Sequence, residues 1–156
     1  MILTYAYSVI DFCLPVWGSI NINKLNELQK IVNKMVQNYR GCEGLLEVEI
    51  LKEFDLLSLF ERYKYNMLVH IFKTLKYKSD VNIINETHIM RNHTRESIST
   101  GSLTLTKHNS ETFKRSIEYS ASIIWNALPA DLKKIEEIGC QSFKDKIRQW
   151  LNSVRK

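Results

Sequence analysis

The chain has 156 residues, 44% hydrophobic and 25% charged, the make-up of a soluble globular protein with room for one cored domain but not for two full ones. Five glycines and two prolines are too few for a turn-rich all-β fold, and the apolar content excludes disorder of the whole chain. The net charge of +5 makes polyanions the natural partner class.

Residues 2–14 are apolar without a clear period and are predicted as a buried helix ending before Pro15; Val16, Trp17 and Gly18 then break the chain. This stretch lacks a basic leader and contains Asp11, so it is read as core rather than as a signal peptide. Asn21 or Asn23 can cap the next helix, in which Ile22, Leu25, Leu28, Val32, Met35, Val36 and Tyr39 recur at helical spacing. Lys24, Lys30 and Lys34 lie off that stripe and are expected to face water. Gly41 and Gly44 stop the helix.

A short helix over 45–54 follows, with Ser58 at the junction. The clearest helix runs from about Phe60 to Tyr77, its inner face made of Phe60, Tyr63, Met67, Leu68, Ile71 and Leu75. Residues 78–110 turn polar and lose the helical period, which predicts a long loop holding a short strand or hairpin at 102–107. Ser110 can cap a helix carrying Phe113, Ile117, Ala121, Ile124 and Leu128, closed by Pro129. Asp131 can cap one turn through Ile135. Gly139 breaks the chain again, Ser142 caps, and Phe143, Ile147, Trp150, Leu151 and Val154 form the last apolar stripe. The expected fold is a mainly α domain of five to six helices spanning 1–156, with one long polar loop.

Positive charge is concentrated in two places. Arg62, Lys64, Lys73, Lys76 and Lys78 stand against Glu61 alone. Lys144, Lys146, Arg148, Arg155 and Lys156 stand against Asp145 alone. Such clusters can pair with phosphates, or can simply be solvated helix faces. Trp17 and Trp125 lie among apolar residues beside chain breaks and are read as core. Trp150 lies in a basic helix, where core packing and base stacking both remain open. Asn126, close to Pro129, is expected to fix a helix end through backbone groups.

No GxxxxGK[ST] or GxGxxG loop, HExxH or GxSxG elbow occurs, and the five aspartates are scattered. No catalytic residue, cofactor or metal is therefore assigned. A metal enzyme built on His88 and His93 is the most distant reading. The three cysteines, Cys13, Cys42 and Cys140, are far apart and form no CxxC. They suit a reducing compartment, so the chain is expected inside the cell, in nucleus or cytoplasm. No run reaches the roughly 20 apolar residues of a membrane span.

The order of several elements is distinctive when taken together: Cys13 to Gly18; the Leu-, Gln- and Lys-rich helix from Lys24 to Val32; the stretch 45–78; Asn92-His93-Thr94-Arg95; Lys114 to Tyr119 leading into Trp125-Asn126-Ala127-Leu128-Pro129; and Ser142-Phe143-Lys144. This order resembles the C-terminal thumb and post-thumb region of reverse transcriptases of non-LTR retrotransposons, the jockey-like RNA-directed DNA polymerases. The resemblance covers essentially the whole chain, with Trp-Asn-x-Leu-Pro as its most specific element. Ile117 departs from the family's usual aromatic, Cys13 from its Tyr-Gly, and the link from Gly41 to Gly44 is unusual.

The resemblance implies a non-catalytic portion of such a polymerase. The palm carboxylates, the fingers and any endonuclease would lie before Met1, and this portion would grip RNA or an RNA–DNA template–primer duplex. Lys24, Lys30, Lys34, Lys73, Lys76, Lys144, Lys146 and Arg148 are the contact candidates, with Arg95 in the loop. Trp17, Gly18, Trp125, Asn126, Leu128, Pro129 and Phe143 are the structural motif. If residues 1–17 normally pack on a palm, the chain alone would expose them and self-associate. The contrasting reading is a degenerate or repurposed helical protein-interaction module with no nucleic-acid role.

Overall fold

The computed structural model describes residues 7–12, 14, 22–41, 46–77, 102–103, 105, 110 and 116–155. The fold is mainly α, as the periodicity predicts. Residues 7–12 are helical. They are followed by α1 (Ile22–Arg40), α2 (Glu47–Glu53), α3 (Leu59–Tyr77), α4 (Ile117–Asn126), a single 3-10 turn (Ala130–Lys133) and α5 (Cys140–Val154). Two compact units result, Met1–Tyr63 and Lys64–Lys156, and α3 runs through the division.

In the first unit α1 buries Leu25, Gln29, Val32, Asn33 and Val36. Two of these are amides that the apolar stripe did not mark. Gln29 Nε2 donates to Asn33 Oδ1 at 2.7 Å, and Gln29 Oε1 accepts from the Leu59 N–H at 2.5 Å. A helix start leaves its first N–H groups without intrahelical acceptors, so Gln29 lies inside because it closes the first turn of α3. Asn23 falls within the first turn of α1 and is not its cap; Asn21, the other candidate, lies outside the described residues. Gly41 ends α1 with φ +66°, a left-handed conformation that glycine adopts without steric cost.

Helix α2 is shorter than the predicted 45–54. The Leu46 N–H donates to Glu49 Oε2 at 2.8 Å at its start. At its end the Leu56 N–H reaches Leu51 O at 2.9 Å and the Asp55 N–H reaches Lys52 O at 3.3 Å, with Asp55 at φ +46°. This is the paired closure of a Schellman motif, with aspartate at the position glycine usually takes. Ser58 and Glu61 then form a capping box. Glu61 N–H donates to Ser58 Oγ at 3.3 Å, and Ser58 N–H donates to Glu61 Oε2 at 2.8 Å. Arg62 forms a two-pronged ion pair with Asp11, its Nε 2.9 Å from Oδ1, and its guanidinium lies over the Tyr7 ring at 4.2 Å. Burial raises the Tyr7 phenol above its ordinary pKa, against the pull of Arg62.

In the second unit α3 buries Met67, Leu68, Ile71, Phe72 and Thr74, while Leu75 is only half-buried. Helix α4 begins at Ile117, with Ser116 Oγ accepting from the Tyr119 N–H at 3.3 Å. Ser110, the expected cap, is not the cap of this helix, and Phe113 lies outside the described residues. Ser116 can cap because its backbone is extended, with ψ 150°. Helix α5 is likewise entered at Gly139, with ψ 152°, and not at Ser142, which falls within the first helical turn. Ser102, Leu103 and Leu105, the described residues of the predicted strand, carry no strand.

Phe72 and Phe143 stack at 3.9 Å between centroids and 17° between planes, and Trp125 meets Phe143 at 6.2 Å; all three are fully buried. The neighbouring His70 is half-buried at the core edge. Among the described residues its Nε2 is enclosed without a hydrogen-bond partner. Burial, and then the charge of Lys73, lower its pKa from the ordinary 6.5. The unfolded chain therefore holds that proton more tightly than the folded one. His70's contribution to stability is complete above pH 6.5 and declines as pH falls through that value. Urea midpoints measured on either side of it should show this loss, and His70→Leu should flatten the dependence relative to the parent chain.

Candidate nucleic-acid interface

The basic candidates divide between the two units. Lys24, Lys30 and Lys34 are exposed on α1 in the first. Lys73 and Lys76 on α3, and Lys144, Lys146 and Arg148 on α5, belong to the second. At 3.6 residues per turn, Lys30 and Lys34 lie on one flank of α1, with Lys24 about 120° from Lys30. On α5, Lys144 and Arg148 share a flank one turn apart, and Lys146 projects about 160° away from both. Each pair spaced by four residues places two cations about 6 Å apart along the axis. One strand of a duplex advances about 3.4 Å per phosphate, so such a pair matches roughly two phosphate steps. Lys144 is half-buried; Lys146 and Arg148 are exposed. Arg95, Trp17 and Gly18 lie outside the described residues, as do His88 and His93.

Lys76 has a different task. Its Nζ donates to Ile135 O at 3.2 Å and to Ile138 O, and stands 5.5 Å from the centre of the Phe72 ring. An ammonium holding two carbonyls of the link between the 3-10 turn and α5 is a structural cation. Lys133, which the sequence did not single out, is another. It donates to Asn126 O at 3.0 Å, at the C-terminal end of α4, and burial lowers its pKa. The signal for it was available: a lysine within a few residues of a helix C-terminus meets carbonyls that lack intrahelical donors. Lys73 is exposed and remains turned to solvent.

The Trp-Asn-x-Leu-Pro segment now has a physical account. Trp125 is fully buried and Leu128 nearly so. Asn126 does bond backbone groups, but not those of its own helix end. Its Oδ1 accepts from the Leu103 N–H and its Nδ2 donates to Leu103 O, both at 2.8 Å. One side-chain amide thus satisfies both polar groups of a residue 23 positions earlier, whose side chain is buried. Pro129 does not close α4, which ends at Asn126. It opens the 3-10 turn, where Leu132 N–H donates to Pro129 O at 3.0 Å. Phe143 is the fully buried partner of Phe72. Trp150 is partly exposed at the flank of α5.

No family model matches this chain, and neither does any curated protein or solved structure. Among the described residues no helix is long and apolar enough to cross a membrane.

Replacing Asn126 by Ala should cost about 1–3 kcal/mol, because a part-buried backbone donor and acceptor lose their partner together. Asn126→Asp discriminates further. A carboxylate keeps the acceptor but opposes the Leu103 carbonyl, whereas a protonated carboxyl donates and accepts as the amide does. The Asp variant should therefore gain stability relative to the parent chain as pH is lowered, read from paired urea melts.

Proposed function

We propose that this chain is a non-catalytic, nucleic-acid-binding portion of an RNA-directed DNA polymerase of the non-LTR retroelement kind, acting inside the cell where template RNA is found. The reading is supported by the ordered set of sequence elements. On the structural side it is supported above all by cation pairs at one-turn spacing, the exposed Lys30 with Lys34 and the half-buried Lys144 with the exposed Arg148. Such pairs can neutralise phosphates without reading bases, which suits a grip on a template–primer duplex of any sequence. Lys76, committed to backbone carbonyls, drops out of the contact set. The second reading, a helical protein-interaction module, has its own observation: Phe12 is 87% and Leu46 69% exposed.

Anisotropy titration of an RNA–DNA hybrid at several salt concentrations separates the two. Log affinity should fall linearly with log salt, by about 0.9 per phosphate neutralised if the hybrid behaves as B-DNA does. Joint reversal of Lys144 and Arg148 to Glu should weaken binding and make that slope shallower by about 1.8 if each contacts one phosphate. Failure to bind the hybrid even at low salt would leave the interaction module as the better account.

A further inference from the structure

Helix α1 carries a second apolar stripe beside its buried face. Leu28 is half-buried, Ile31 is 56% exposed and Met35 38% exposed. With Lys24 these residues are spaced 4, 3 and 4 apart, the alternation of a coiled-coil seam. Glu27 and Lys34 each immediately precede a seam residue, Leu28 and Met35, and so border the same side of the stripe. Both are exposed.

We infer that this stripe is the docking surface for a second copy of the same chain, laid antiparallel along α1. The charges select both the partner and the direction. Where two identical helices run antiparallel, the residues preceding the first seam position of each heptad face their counterparts across the joint. A pairing centred near Lys30 sets Glu27 against Lys34 of the second copy, and two-fold symmetry repeats that contact. Leu28 of each copy then meets Ile31 of the other, and Met35 lies along the aliphatic stem of the other's Lys24. A parallel pairing instead sets Glu27 and Lys34 against the positions of Val32 and Tyr39, with no opposite charge to meet. This surface is independent of the cation pair on α5, but it shares Lys34 with the pair on α1. Docking would occupy Lys34 and leave Lys30 on the outer side.

The test is sedimentation velocity on the full, nuclease-treated chain over a concentration series, with circular dichroism to verify folding. The parent chain should show a reversible monomer–dimer equilibrium. Ile31→Glu should abolish it. Glu27→Lys and Lys34→Glu should each weaken dimerisation by about tenfold or more, because every favourable cross-pair becomes a like-charge one. An equimolar mixture of those two variants should recover dimers near the parental affinity, since each supplies the charge the other lacks. That recovery is not expected of a merely structural role, and it decides the matter if Ile31→Glu fails to fold. A parent chain that stays monomeric overturns the inference. So does a dimer indifferent to all three substitutions, which would place the joint elsewhere, or a mixture that fails to recover.

Discussion

The stacking of Phe143 on Phe72 is the contact on which the second unit depends. The two rings come from α5 and α3, and Trp125 brings α4 to the same point. Each such aromatic removes about 150–250 Å² from water, so one meeting place supplies a large share of the hydrophobic drive for three helices. The polar groups around it follow from that choice. Once α5 is drawn onto α3, the link before it brings the carbonyls of Ile135 and Ile138 up to α3. Lys76 answers them while its charge stays near the Phe72 ring.

The first unit is organised on a different principle. Its longest helix buries two amides along with its aliphatic residues, and one of them, Gln29, closes the first turn of α3. Arg62, on the next turn of α3, is tied to Asp11 and stacked on Tyr7. Directional bonds of this kind fix which groups meet, at modest net gain per bond. Aliphatic packing alone tolerates sliding. The exposed half of α1 shows the complement: where Gln29 and Asn33 take inner positions, Ile31 and Met35 are left outside.

The helices were legible wherever a strong period met a clear stop. Tyr63, Met67, Leu68 and Ile71 defined the inner face of α3, and Gly41 ended α1 as glycine should. Helix starts were read less well. Several serines and asparagines stood near each start, and only backbone conformation selects the one that caps; Ser116 did so where Ser110 was expected, and α5 starts from Gly139 before Ser142. The roles of Gln29, Lys76 and Asn126 depend on partners 23 to 62 positions away. Local patterns carry no trace of such distant partners. Of the site, exposure of Lys24, Lys30 and Lys34 could be read from their places off the apolar stripe of α1. That Lys76 is bound to carbonyls could not.

The grip of Asn126 on Leu103 bears on how this chain can drift in sequence. The amide recognises only a backbone N–H and C=O, so it fastens its target whatever side chain that residue carries. Exchange of Leu103 for another apolar residue thus leaves the fastening intact, whereas loss of the single asparagine removes both of its bonds at once.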